Sequence, residues 1–206
     1  MAPKKKEMSK EEKAEFYKKK REKERAKQKA EQKAAKAEHN KAADEQREAE
    51  MQKIKEQLKS KGLVMTEVET DGHCMYRALA HQCKLLGRGT GNSYQELRLQ
   101  TAEYMRRNAD AFLPFLTGPD GDVITEEGFM EHLDGVEKNA WGDNTELQAL
   151  SEVLKSRVVV ICADSPEHTF GDQYGEVGHT LMLSYHKHLH TLGEHYNSVH
   201  PKDTRM

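Results

Sequence analysis

Leu63-Val64-Met65-Thr66-Glu67-Val68-Glu69 alternates apolar and polar positions with the two-residue period of a half-buried strand. Beyond it Met75, Leu79, Cys83 and Leu86 recur at helical spacing, which predicts a strand, a turn at Asp71-Gly72 and a helix opening at Cys74. Ser93, with Glu96 three residues later, has the form of a capping box ahead of a helix over about 94–108. Pro114 and Gly118-Pro119-Asp120-Gly121 then break the chain, and Thr125 with Glu126 and Glu127 opens a short helix. A further capped helix is expected after Trp141-Gly142-Asp143, with Leu147, Leu150 and Leu154 as its core stripe. Residues 157–162 form a continuous β-branched run, the pattern of a central strand buried on both faces. With strands also expected over 179–186 and 195–200, residues 63–206 read as a compact α/β body, long enough for one core.

The first 62 residues have no such alternation. Between residues 4 and 61 there is neither Gly nor Pro, and Ala, Glu, Lys, Gln and Arg dominate, so a helix is predicted by propensity alone. If continuous it extends on the order of 90 Å. It lacks a sustained apolar heptad, which makes it a charged helix rather than a coiled coil. Met51, Ile54 and Leu58 form a short stripe by which the last turns are expected to dock on the body, and Gly62 is placed to end the helix.

Charge separates the same two parts. Residues 1–62 carry 21 Lys or Arg against 13 Asp or Glu, and the remainder carries 12 against 22, so a basic arm precedes an acidic body. The body is therefore not expected to bind nucleic acid by itself, but suits a partner with a basic face. The arm has two readings. Clustered lysines over 1–50 suit a tether to RNA or ribosomes, whereas interleaved acids such as Glu15 beside Lys19 suit a solubilising helix. Lys4-Lys5-Lys6 is a weaker signal for nuclear import. Three cysteines without C-x-x-C spacing argue for a reduced, intracellular chain, and no apolar run approaches the ~20 residues that span a bilayer. Cytoplasm, with nuclear access, is the expected location. Gly87-Arg88-Gly89-Thr90-Gly91 reads as a turn, because no G-K-[ST] completes a phosphate loop.

The candidate chemistry centres on Cys74. At a strand-turn-helix junction the unpaired backbone N–H groups and the positive helix end favour a thiolate, and the same groups suit an oxyanion. The alternative for an isolated cysteine there is a buried core residue. In Gly193-Glu194-His195-Tyr196-Asn197-Ser198-Val199, strand periodicity puts His195 and Asn197 on one face about 7 Å apart, so the amide can orient the imidazole. Together these make a papain-type constellation. His186, His188 and His190 share a face if extended. They stand in or beside an expected turn with no Cys or acidic ligand at zinc spacing, so a polar loop is preferred and no metal is expected. Cys162 reads as a packing residue, and Trp141 as either a core anchor with one exposed edge or a ligand contact.

Asp71-Gly72-x-Cys74-x-Tyr76-Arg77, Ala140-Trp141-Gly142 with Glu146-Leu147-x-Ala149-Leu150, and Gly193-Glu194-His195-Tyr196-Asn197-Ser198-Val199 resemble, in this order, the ovarian-tumour (OTU) domain cysteine proteases. The likeness runs roughly from Leu63 to the C-terminus. His73, Met75, Thr101-Ala102-Glu103-Tyr104-Met105 and Phe112-Leu113-Pro114-Phe115-Leu116 are similar to the family's OTU domain-containing protein 6 group. The resemblance implies a papain-like OTU fold, a small central sheet between helical layers, and a deubiquitinase that needs no cofactor or metal and acts as a monomer on ubiquitin or its chains. It implies Cys74 as nucleophile, His195 as base, Asn197 as its support and Asp71 counted with the catalytic residues. The Asp71 carboxylate has an alternative role in capping the turn. Backbone N–H groups of Gly72, His73 and Cys74 would hold the oxyanion. Trp141, Gly142 and Asp143 correspond to a variable loop that touches ubiquitin, and Glu194 and Tyr196 would line the same site. Asp143 departs from the second glycine found in many members. Two other readings stay open: a silent ubiquitin-binding adaptor working through its basic arm, and a thiol peptidase or acyl transferase acting on something else.

Overall fold

The computed structural model describes residues 10–118, 121–175, 180–190 and 193–202. Lys4-Lys5-Lys6, Pro119, Asp120, His179 and the His190 side chain lie outside the described residues. Two compact units are formed, Met1–Gln46 and Arg47–Met206. Helix α1 runs over Lys10–Ser60, as its Gly- and Pro-free sequence predicts. Within the first unit Lys19 pairs with Glu15 at 2.8 Å, and Lys27–Glu31 and Lys41–Glu45 repeat the spacing at 3.8 Å. Such exposed pairs add only ~0.2–0.5 kcal/mol each.

In the second unit β1 (Leu63–Thr66) is followed by α2 (Cys74–Leu85), α3 (Tyr94–Arg107), α4 (Ala109–Phe112), α5 (Glu126–Lys138) and α6 (Asn144–Leu154). Then come β2 (Arg157–Cys162), β3 (His168–Phe170), β4 (Thr180–His190) and β5 (Gly193–Pro201). The sheet order is β1-β5-β4-β2-β3. Strands β2 and β4 are parallel and the other pairs antiparallel.

Strand β2 shows why its β-branched run is buried on both faces. Val158 and Val160 pack with Leu79, Leu97, Leu133 and Leu150 of the helical layer. Val159 and Ile161 face the other way, onto Ile54 and Leu58 from the last turns of α1 and onto Val199. The sheet thus has helices on both faces. Ile54 and Leu58 are 0% and 3% exposed, each burial stabilising by about 1.5–3 kcal/mol.

Several elements differ from the sequence pattern. Strand β1 stops at Thr66, and beyond it the Val68 N–H donates to Asn197 Oδ1 at 3.0 Å. Strand β3 has three residues, too few to show a period. Strand β4 continues to His190, so His186 and His188 lie in a strand rather than a turn, carried through a register shift between His186 and His190. The buried Glu50 carboxylate supports that irregular stretch by accepting the Lys187 and His188 N–H groups at 2.7 and 2.9 Å. His186 is itself buried, with Nε2 2.9 Å from Ser184 Oγ. Ser93 caps α3 by accepting from the Glu96 N–H, but the Glu96 carboxylate turns to the Gly91 N–H and leaves the box unclosed. A full reciprocal box forms at Asp143 and Glu146. Among the described residues no helix is long and apolar enough to cross a membrane.

Candidate active site

The turn before α2 is built by Asp71. Its Oδ1 accepts the His73 N–H at 2.8 Å, an Asx turn, and the carboxylate takes a two-pronged contact from Arg77 at 3.0 and 2.8 Å. Arg77 also reaches Glu69 at 2.7 Å and lies 4.3 Å over the Tyr94 ring. Burial alone would raise the Asp71 pKa, but the Arg77 guanidinium and the His73 amide reverse this and hold it below the usual carboxylate range. One expectation needs correcting here. The His73 N–H does not face an oxyanion, because the Asx turn commits it to Asp71, and the Cys74 N–H makes a longer 3.3 Å bond to Asp71 O.

Cys74 is the first residue of α2 and is partly buried. Burial pushes its thiol pKa up, although the Tyr196 and Met75 amides act in the opposite sense at the sulfur. Burial thus opposes the thiolate that the helix-end position favours, and it outweighs the local donors. The Tyr196 amide also shows where the thiol sits: against β5, one residue from His195.

His195 and Asn197 are 2% and 0% exposed on β5, with His195 Nε2 3.0 Å from Asn197 Oδ1. The Val68 N–H donates to that same atom, so it is the amide oxygen. His195 Nε2 must then carry its proton toward Asn197, which leaves the lone pair of the neutral ring on Nδ1. Of the two candidates for supporting His195, Asn197 makes the contact, while the hydrogen bonds of Asp71 are with the cysteine turn and Arg77.

A groove of about 200 Å³ brings Gly72 and Cys74 together with Trp141, Gly142, Asp143, Glu194 and Tyr196, so the expected substrate-binding residues share one wall system. Trp141 is 54% exposed and is therefore not a core anchor. Gly142 allows a close approach, since a Cβ there would lie 2.1 Å from Met75 Cε and would oblige the end of that flexible side chain to move. Asp143 needs no glycine geometry. It has an extended backbone as N-cap of α6, and its own N–H donates at 2.7 Å to Glu146, whose other oxygen is 2.8 Å from His132 Nε2. A second cavity of about 390 Å³ adjoins the groove through Asp143, Glu194 and Tyr196 and adds Glu50, Asp164 and Tyr185.

Two supporting residues, Glu50 and Arg98, both buried, escaped the sequence reading, and buried Glu146 was legible only as a motif residue, without its contacts to His132 and the Asp143 N–H. For Arg98 a signal existed, because it shares the inward face of α3 with Ala102 and Met105 at i+4 and i+7.

The family model for OTU-like cysteine proteases matches residues 69–196. The deubiquitinase OTUD6B of Xenopus tropicalis is 44% identical over 160 residues, 77% of this chain and 53% of that protein. OTUD6B of Homo sapiens is 41% identical over 155 residues, 74% and 52% of the two chains. The ubiquitin thioesterase otu2 of Schizosaccharomyces pombe is 31% identical over 155 residues, 75% and 51%. The chain thus spans about half the length of the curated relatives it matches. Among solved structures the OTU domain of OTUD1 shares the fold with a TM-score of 0.56 at 23% identity, over 75% of this chain and 97% of that one. An OTU deubiquitinase from Wolbachia pipientis, solved with ubiquitin, gives 0.51 at 15% identity, over 70% and 99%. The matched stretch opens before the cysteine turn and closes on the histidine strand, taking in both walls of the groove, and this chain belongs to the family of OTU-like cysteine proteases.

Proposed function

We propose that the chain is a thiol-dependent deubiquitinase that hydrolyses the isopeptide bond at the C-terminal glycine of ubiquitin. The observation that carries the reading is the buried His195, held by Asn197 through Nε2 on the strand whose next amide lies at the Cys74 sulfur. The names of the relatives, deubiquitinase and ubiquitin thioesterase, and the ubiquitin-bound Wolbachia structure support ubiquitin as the substrate. The acidic side chains Asp143 and Glu194 suit a substrate with a basic face.

In this reading Cys74 Sγ attacks the glycine carbonyl as its proton passes to His195 Nδ1. Burial, which pushes the Cys74 thiol pKa up, supports a transfer to His195 in the attack. Asn197 accepts from the imidazolium as it forms. The tetrahedral oxyanion is held at the cysteine turn, and its collapse breaks the C–N bond as His195 returns the proton to the lysine amine. Water, deprotonated by His195, then attacks the thioester carbonyl, and collapse breaks the C–S bond, releasing the ubiquitin carboxylate as the proton returns from His195 to the Cys74 sulfur. Asp71 acts on the turn and not on the histidine. The arm over residues 1–50 is proposed as a salt-sensitive attachment to RNA or ribosomes in the cytoplasm, with nuclear access, supported by its excess of lysine and arginine.

The decisive experiment is incubation of the reduced full chain with ubiquitin bearing a C-terminal electrophile. A covalent adduct is expected, lost in Cys74→Ala and kept in Cys83→Ser and Cys162→Ser. A folded parent chain that forms no adduct would overturn the reading and favour an adaptor.

A further inference from the structure

Arg98 is 1% exposed in the middle of α3, and its partners are neutral. Nε donates to His73 Nδ1 at 2.9 Å and Nη1 to Val136 O at 2.6 Å, while Nη2 donates to Gly72 O at 2.6 Å and Ala140 O at 2.9 Å. The Tyr76 ring centroid lies 4.3 Å from Cζ. Among the described residues no carboxylate pairs with this guanidinium. Asp71 and Glu146 attract it only from a distance, and a buried cation with no carboxylate in contact carries a desolvation cost that an apolar residue of similar volume avoids, so packing does not account for an arginine here.

The four acceptors belong to the two walls of the groove. Gly72 and His73 are the cysteine turn, whereas Val136 and Ala140 belong to the end of α5 and the loop leading into Trp141. The walls meet at a tight seam, where a Cβ on Gly72 would stand 3.0 Å from Asn139 O and 3.5 Å from Trp141 Cδ1. Holding Gly72 O also fixes which way the Gly72–His73 peptide faces. Its N–H is directed to Asp71, and a flip would exchange that N–H and the carbonyl about the groove. His73 is kept neutral at Nδ1 by the incoming donor, and its ring stacks on Tyr94 at 4.5 Å.

We infer that Arg98 is a positioning residue that locks the cysteine turn to the Trp141 loop, and so sets the register of the two walls between which the substrate carbonyl reacts. The inference rests on the proposed thiol chemistry for its kinetic consequence, but not for its structural one. A lysine at 98 preserves charge yet offers one nitrogen where the guanidinium offers three, so it cannot span both walls.

The test compares the parent full chain with Arg98→Lys and Arg98→Ala, each first checked for cooperative unfolding. Trp141 is the sole tryptophan of the sequence, so its acrylamide quenching reports the loop directly, without any ubiquitin activity. Quenching is expected to rise in both variants. With a fluorogenic amide at the ubiquitin C-terminus, kcat is expected to fall about 10²-fold, the cost of a ~1 Å misplacement, with a smaller change in KM. Alkylation of Cys74 by iodoacetamide, which needs the thiol but not the register of the two walls, should stay close to the parent rate. Methylguanidinium should restore part of the Arg98→Ala turnover, and methylammonium should not. Parental quenching and kcat in a folded Arg98→Lys chain would overturn the inference and leave the enzyme assignment standing. Equal losses of alkylation and turnover, or a failure of both variants to unfold cooperatively, would make Arg98 a residue of folding alone and also overturn it. A parent chain without turnover would instead sink the proposed function, and the Trp141 quenching would still decide whether Arg98 joins the walls.

Discussion

Replacing Asn197 with alanine removes one oxygen that accepts from two donors, His195 Nε2 and the Val68 N–H, both at 3.0 Å. The two losses are read by different measurements. Val68 N–H is only part-buried, so losing that acceptor should lower folding stability by about 0.5–1.5 kcal/mol, the net worth of an ordinary hydrogen bond. The bond to His195 matters most when the ring is an imidazolium, and a hydrogen bond to a charged group contributes about 1.5–3 kcal/mol. At 1.4 kcal/mol per factor of ten, that corresponds to a fall in kcat/KM of roughly 10- to 140-fold. Losing the acceptor also destabilises the imidazolium and so lowers the His195 pKa, and the acid limb of the labelling rate should move to lower pH while the plateau rate falls. Asn197→Asp supplies the control. Asn197 Nδ2 has no hydrogen-bond partner among the described residues, so a carboxylate loses no donor contact while keeping both acceptances. It should therefore retain most of the activity that alanine loses. The assay is the rate of adduct formation with the ubiquitin electrophile from pH 5 to 9, beside thermal unfolding. A folded Asn197→Ala chain with the parental rate and pH profile would refute the role assigned to this residue.

Asp71→Ala should lower turnover through the loosened turn while leaving the pH profile of labelling nearly in place, since the carboxylate is bound by His73 N–H and Arg77; a displaced profile would transfer the support of His195 to Asp71. The Asp71 carboxyl is depressed below its ordinary 3.8 in the fold, so its stabilisation is complete above that value and is lost as pH falls through the lower folded pKa; Asp71→Asn should flatten the acid limb of a stability-pH curve, and an unchanged limb would count against the Arg77 pair. Deleting residues 1–46 should leave cooperative unfolding intact, whereas Ile54→Ala or Leu58→Ala should cost about 2–5 kcal/mol each by urea denaturation, and a neutral result would show that the end of α1 is dispensable to the sheet. A cut after residue 50 should be worse than one after 46, because it removes Glu50 from the Lys187 and His188 amides.

What the sequence made legible was local. The β2 run is buried on both faces because every position is apolar or near it, and the start of α2 follows from a glycine turn meeting a 3.6-residue period. His195 and Asn197 were paired by a two-residue period, which is enough to place two side chains on one face of any strand. The Cys74 thiol shows where such reasoning stops. Its helix-end position was visible, but the desolvation that raises its pKa comes from tertiary burial. The extent of β4 was misjudged for a similar reason, since alternate histidines read as polar while the carboxylate that holds their backbone comes from Glu50, 137 positions away from Lys187.

Arg98 marks that boundary most sharply. On α3 it stands with Ala102 and Met105 on the inward face, and an arginine in such a stripe is ordinarily read as one that snorkels to solvent. What turns it inward is a set of backbone carbonyls, at Gly72, Val136 and Ala140, brought together by the end of α5 and the cysteine turn. A carbonyl has no residue identity, so no spacing rule can anticipate it as a partner. The charged residue was legible as an anomaly in the pattern, and its resolution required the two groove walls to be in place. For this chain, the proposed nucleophile and base stand in recognisable local motifs, whereas the groups that hold them in register are buried charges satisfied by distant main chain.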